Sequence, residues 1–197
     1  MRSFTRPIFL LSFSLVTHAS LACEALDPAV VTERVSTIAT QEELDPALAL
    51  AVVSVESAMG QQQHSDAGAV GIMQLMPSTA ADYGVTDRCD PEANIRAGVR
   101  YLKKLQSEFE DPLLMLAAYN AGPERVYQKG GIPEFNETAK YVVKVMNRWK
   151  LNAKALKASE RRKHPQDIPQ TMPAALTEPA PWRDAHVWSA DDTIKEN

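Results

Sequence analysis
The chain has 197 residues, of which 45% are hydrophobic and 23% charged, with a net charge of −4. A mildly acidic protein has no electrostatic footprint for nucleic acid, and simple charge attraction cannot draw it to an anionic polymer, so binding one would need a specific cleft. Two cysteines and four scattered histidines give no metal-ligand spacing, and no cofactor is implied.

The first 22 residues read as a secretory signal and not as part of the fold. Arg2 and Arg6 make a positive start, Ile8 to Val16 form a short apolar core, and Ser20-Leu21-Ala22 offers small residues, Ser20 and Ala22, at the two positions a signal peptidase reads. The apolar run is well short of the ~20 residues that span a bilayer, so no stable membrane span is expected once the signal is removed. Removing it takes away two arginines and no acidic residue, which moves the net charge from −4 to −6. The expected location is the periplasm or another extracytoplasmic space. Lipid anchoring at Cys23 is the lesser alternative, because Ser20 stands where such signals usually carry Leu. In an exported protein the pair Cys23 and Cys89 suggests a disulfide.

From Cys23 to about Lys150 the chain reads as one all-α domain. Val31, Val35, Ile38 and Ala39 mark a first helix. Asp45-Pro46 reads as an N-cap with proline at the first helical position, opening a run from Ala47 to Met59. Gln61 to Val70 would hold a small hairpin at most. Ser78 is expected to cap a short helix from Thr79 to Tyr83, ended by Gly84. Asp90-Pro91 opens another, whose apolar positions Ile95, Val99, Leu102, Leu105 and Phe109 step by three or four. Asp111-Pro112 starts the next, Leu113 to Tyr119, closed at Gly122-Pro123. Tyr141, Val142, Val145, Met146 and Trp149 mark a last long helix. Residues 151–197 are expected to hold the end of that helix and a proline-rich, disordered tail. The tail starts near residue 159 with Arg161-Arg162-Lys163 and includes Pro165, Pro169, Pro173, Pro179 and Pro181. A tail that packs loosely or has no role is the first reading of this segment; the alternative makes Trp182 and Trp188 anchors for a partner in the cell envelope.

The chemistry centres on Glu56. It ends an apolar helix (Leu48, Leu50, Val52, Val53, Val55), so its carboxyl should lose hydration and stay protonated near neutral pH, ready to act as a general acid. Taken alone, a solvated helix-end glutamate is the commoner case. The loop that follows adds Gly60, Gly68 and Gly71, the amide of Gln74 as donor and acceptor for sugar hydroxyls, and adaptable apolar surface in Met73 and Met76. Tyr119 and Asn120 end a later helix, and a buried tyrosine needs a partner for its hydroxyl. Tyr141 is a second candidate for that role.

Five segments in order carry a resemblance: Glu56-Ser57; Ser65 through Gly68-Ala69 to Gly71-Ile72-Met73-Gln74-Leu75-Met76-Pro77; Asn94-Ile95 with Ala97-Gly98; Ala117-Ala118-Tyr119-Asn120-Ala121-Gly122; and Glu137-Thr138 with Tyr141-Val142. Over about residues 28 to 150 the chain resembles the catalytic domain of soluble lytic transglycosylases, in the lysozyme-like superfamily. It departs at Met59 and Gly60, where the family usually has an aromatic and then Asn or Asp.

The resemblance implies a peptidoglycan lytic transglycosylase. Such an enzyme cuts the β-1,4 bond between N-acetylmuramic acid and N-acetylglucosamine and leaves a 1,6-anhydromuramic end. Glu56 would be its acid and base. Ser57, Ser65, Gln74, Met76, Ala118, Tyr119, Asn120 and Tyr141 would line the glycan cleft or orient the acid, although Ser57 has a local backbone-capping alternative. Asp66 would have no catalytic role. The partner would be the glycan strand, and the tail suggests local wall opening for a secretion or conjugation apparatus. The alternatives are a hydrolytic goose-type lysozyme and a non-catalytic glycan-binding or scaffold protein.

Overall fold
The computed structural model describes residues 23–134 and 136–163; the expected signal, most of the expected tail, Trp182 and Trp188 lie outside the described residues. The chain divides into two compact units, Met1–Leu156 and Lys157–Asn197. The described part of the second is the end of one helix.

The described residues form seven helices: α1 (Pro28–Gln41), α2 (Pro46–Glu56), α3 (Pro77–Asp82), α4 (Pro91–Phe109), α5 (Pro112–Ala121), α6 (Pro123–Lys129) and α7 (Asn136–Lys163). Among them there is no extended strand; His64 pairs with Val70, and Val70 with Leu75, as isolated bridges. The all-α expectation with at most a small hairpin is borne out.

One device starts four of the helices. Asp27, Asp45, Asp90 and Asp111 each accept a backbone N–H with the side chain while proline occupies the next position. The aspartate satisfies an orphan donor, and the proline has no N–H to leave unsatisfied. Helix α2 is the centre of the fold. All its residues from Ala47 to Val53 are buried, so it is apolar on every side and not on a stripe. Helices α1 and α7 lie beside it. The Trp149 indole N–H donates to Asp45 Oδ2 at 2.6 Å, and the Asn152 amide donates to the Ala47 carbonyl at 3.2 Å.

Three expected boundaries are corrected, and one helix is added. Helix α2 stops at Glu56, not Met59, because Ala58 (φ 50°), Met59 (φ 61°) and Gly60 (φ 81°) turn left-handed. Helix α3 begins at Pro77 with Met76 as its uncapped N-cap, so Ser78 lies inside the first turn. Helix α6 was not anticipated; Val126 is its one buried residue, too little for a periodic signal. Helix α7 runs to Lys163, so residues 159–163 are helical and Arg161-Arg162-Lys163 form a last turn rather than the start of a tail. Three cations there suit the negative end of the helix dipole.

Cys23 and Cys89 form a disulfide across 66 residues. It ties Cys23 to the segment between α3 and α4, while Gln63 and Gln61 of the loop after α2 donate to the Glu24 carbonyl (2.7 Å) and the Leu26 carbonyl (2.8 Å). Loop-closure entropy for such a span is worth about 4 kcal/mol. Reductant is therefore expected to lower the midpoint of chemical unfolding, and equal midpoints with and without reductant would contradict this.

Candidate active site
Glu56 is the last residue of α2, and the left-handed turn after it frees its carboxyl from the helical stack. It lies at the negative end of the helix dipole, which disfavours a carboxylate. Burial raises its pKa from 4.5 to about 7, and a hydrogen bond from Tyr141 pulls the other way without overcoming it. The Tyr141 hydroxyl donates to Glu56 Oε1 at 2.6 Å. Tyr119 is also close enough to feel its charge. Burial, with Glu56 second, pushes the phenols of Tyr119 and Tyr141 well above their usual value, so both stay donors.

The loop between α2 and α3 is gripped from three elements at two consecutive residues. The Ser57 hydroxyl donates to the Ile72 carbonyl at 2.7 Å. Asn94 Oδ1, from α4, accepts the Met73 N–H at 2.8 Å. The Tyr119 hydroxyl, from α5, donates to the Met73 carbonyl at 2.8 Å. The Asn94 amide also donates to Val70 (3.0 Å) and Arg88 (2.9 Å) carbonyls. Two glycines make room for this. A Cβ at Gly71 (φ 89°) would stand 2.1 Å from Asn94 Nδ2, and one at Gly98 would stand 2.5 Å from Met73 Cβ. The grip fixes the next residue, Gln74 (φ 50°), whose amide donates to the Gly71 carbonyl at 2.8 Å.

A groove of about 510 Å³ opens beside Tyr119. Gln74 and Met76 line one side of it, and Tyr101, Tyr119 and Asn120 line another. Tyr101 packs 5.4 Å from Tyr119 and 6.1 Å from Tyr83, ring centre to ring centre. Asn120 is held by Thr138, whose hydroxyl donates to Asn120 Oδ1 at 2.9 Å.

Residues 34–142, more than half of the chain, match the family described as the Transglycosylase SLT domain. The chain belongs to that family. A transglycosylase of Enterobacteria phage PRD1 is 39% identical over 90 residues, which cover 46% of this chain and 34% of the phage protein. The membrane-bound lytic murein transglycosylase F of Desulfosudis oleivorans is 38% identical over 124 residues, 59% of this chain and 26% of that protein. The structure of an inactive mutant of lytic transglycosylase Slt from Pseudomonas aeruginosa is similar with a TM-score of 0.56 and 30% identity, over 64% of this chain and 24% of that one. The chain thus spans about a third of the phage protein's length and about a quarter of the other two.

Within this SLT domain the expected site residues fall into three groups. Glu56, Tyr119 and Tyr141 converge, and Gln74, Met76, Tyr119 and Asn120 share the groove. Tyr141 is buried and meets the acid rather than the groove. Ser57 and Ala118 are fully buried, so neither side chain lines the cleft. Ser57 instead holds backbone: besides the Ile72 carbonyl, its oxygen accepts the Gly60 N–H at 2.9 Å. Ser65 is exposed and accepts the Ala69 N–H at 2.9 Å, and the groove meets the loop at Ala67 instead. Tyr101 and Arg125 line the groove without having been singled out. Tyr101 carried a signal in its place on the helical stripe of α4, where a polar-tipped aromatic interrupts aliphatic residues.

The Tyr141 contact gives a signed prediction. Its hydrogen bond favours the ionised form of Glu56, so Tyr141→Phe raises the Glu56 pKa further. The alkaline limb of the activity profile, which follows loss of the Glu56 proton, should move to higher pH. Turnover should fall by about 10-fold, because the carboxyl loses its orientation. An unmoved limb would contradict this role.

Proposed function
We propose that this domain is a peptidoglycan lytic transglycosylase with Glu56 as acid and then base. The observation that carries the reading is a desolvated carboxyl, raised to about 7, held by Tyr141 and close to Tyr119, which lines a groove together with Gln74 and Asn120. Two-carboxylate glycosidases need a second carboxyl at the bond that breaks, and no carboxylate is among the described residues that line the groove. Protonated Glu56 gives its proton to the glycosidic oxygen as the C1–O bond of the muramic sugar breaks. The neighbouring acetamide stabilises the electron-poor anomeric carbon. Glu56, now a carboxylate, takes the proton of that sugar's 6-hydroxyl while O6 bonds to C1. The 1,6-anhydro ring closes, the enzyme ends as it began, and no water is consumed. Gln74, Asn120 and Met76 bind the strand, and Tyr141 orients the acid.

Family membership supports the reaction class, and one related enzyme, Slt from Pseudomonas aeruginosa, is described as inactive as a glutamate-to-glutamine mutant. The signal-like first 22 residues support action outside the cytoplasm. Relatives include membrane-bound murein transglycosylases, whereas no helix among the described residues is long and apolar enough to cross a membrane. Local wall opening for a secretion or conjugation apparatus, recruited through the tail, extends the proposal. Deleting residues 159–197 tests it by localisation and interaction; no change in either would sink that extension.

The reaction itself is tested by mass spectrometry of fragments that the mature protein releases from purified peptidoglycan. Anhydromuramic ends are expected. Reducing muramic ends would make it a goose-type lysozyme, and no release would favour a binding or scaffold protein.

A further inference from the structure
The net charge of −4 conceals an uneven distribution. Between Glu137 and Glu160, helix α7 holds six cations (Lys140, Lys144, Arg148, Lys150, Lys154 and Lys157) and no acid. All six are exposed. No salt bridge among the described residues engages any of them. The cations of α4 behave otherwise: Arg96, Arg100 and Lys103 close on Glu42, Glu43 and Glu92 at 2.6–2.9 Å. Two apolar side chains stand among the α7 cations, Val143 at 60% exposure and Leu151 at 62%. Helix α7 buries Thr138, Tyr141, Val142 and Val145. By the 3.6-residue turn, Val143 and Leu151 lie on the opposite side, with Lys140, Lys144, Lys150 and Lys154 flanking them.

A helix side that mixes lysines with exposed aliphatic groups suits a segment that lies on a membrane surface. It is not apolar enough to cross one, and neither is any other helix among the described residues. Lysine ammonium groups can stay at headgroup level while their stems and the two aliphatic side chains reach toward the acyl boundary. An anionic leaflet attracts such cations within about a Debye length. A wall polymer would meet the charge but offers Val143 and Leu151 no apolar phase. Net charge alone argues against attraction to an anionic surface. Here the attraction is local, and repulsion of the more acidic remainder turns α7 toward the surface.

We propose that the outer side of α7 is a docking surface for an anionic phospholipid bilayer, on which the domain lies without spanning it. Tyr141, which reaches Glu56, belongs to the buried side of the same helix, so the docking surface and the acid share no residue. The proposal concerns where the domain works and does not depend on the reaction.

The test is co-sedimentation of the full mature protein with vesicles of phosphatidylcholine alone and of phosphatidylcholine with phosphatidylglycerol in equal parts. Wild type should bind the anionic vesicles, less as salt rises, and leave the neutral ones in solution. Glutamate at Lys140, Lys144, Lys150 and Lys154 together should lower the partition coefficient at least about 10-fold. Glutamine at the same four positions should give a smaller loss, and keeps the test open if the glutamate set does not fold. Leu151→Ser should weaken binding while leaving its salt dependence in place. Equal binding to both vesicles, no binding to either, or binding undiminished in the charge variants would overturn the proposal. Retention on peptidoglycan sacculi without vesicle binding would overturn it in favour of a wall-polymer surface.

Discussion

Replacing Glu56 by glutamine is expected to abolish cleavage and, at alkaline pH, to stabilise the fold. The activity loss follows from the two proton transfers assigned to one carboxyl. Acid–base catalysis contributes roughly 10²- to 10⁴-fold, and an amide can neither give nor take the proton, so at least a 10³-fold loss is expected. The stability effect follows from linkage. Glu56 has a pKa of about 7 in the folded protein against 4.5 as its reference. Below the lower value both states are protonated and the group is neutral to stability. Between the two the unfolded chain releases its proton and the folded chain does not, so stability falls as pH rises. Above the folded value the full penalty stands, on the order of 3 kcal/mol at 1.36 kcal/mol per unit. Glutamine has a similar shape, can still accept from Tyr141, and does not ionise. The stability of Glu56→Gln relative to wild type should therefore increase by about 2–3 kcal/mol between about pH 4 and pH 8. Retained cleavage would remove Glu56 from catalysis. Parallel stability curves would mean that its carboxyl is hydrated after all.

The second large effect lies away from the chemistry, at Asn94. It is fully buried and makes three hydrogen bonds, to the Met73 N–H and the Val70 and Arg88 carbonyls. Truncation to alanine leaves those three backbone groups without this partner, and each buried group left unmet costs about 1–3 kcal/mol. Asn94→Ala should therefore cost about 3–5 kcal/mol, a large part of an ordinary domain's stability. Gly71→Ala tests the same junction from the other side. Its Cβ would meet Asn94 Nδ2 at 2.1 Å and the Arg88 carbonyl at 2.4 Å, in a backbone conformation that disfavours any side chain. It should destabilise to a similar degree. In the molecules that still fold, Met73 should release the Tyr119 hydroxyl and Gln74 should lose its place, so activity falls beyond the loss of stability. Chemical denaturation and activity per folded molecule measure both. A cost below about 1 kcal/mol for either variant would show that the loop is fixed by other contacts.

These two residues mark what the sequence makes legible. Asp-Pro pairs and three-or-four spacing announce α2, α4 and α5 because capping and burial are local or periodic. Asp27-Pro28 carried the same signal for α1 and passed unread, since the first apolar marker there was Val31. Glu56 was readable only in company: one carboxylate at the end of an apolar run becomes an acid when a glycine-bounded loop and a Tyr-Asn pair follow. Its pKa depends on what covers it, and Tyr141 does so from 85 residues away. The end of α2 was not readable either, because the left-handed turn involves Ala58 and Met59, which ordinarily continue a helix. Ser57 looked like a sugar ligand by its place in the motif, yet its oxygen is occupied within the fold by Ile72 and Gly60. Helix α6 is seven residues with one buried side chain, so nothing periodic announces it, although it carries Arg125, which lines the groove.

The central claim is that burial, against the pull of Tyr141, keeps Glu56 protonated near neutral pH. The most direct measurement is an NMR titration of its side-chain carboxyl carbon in the folded wild-type protein, assigned by the signal missing in Glu56→Gln. The account predicts a single midpoint at about 7, moving upward in Tyr141→Phe. A midpoint near the ordinary value of 4.5 would contradict it, because the residue would then be a carboxylate at neutral pH with no proton to give.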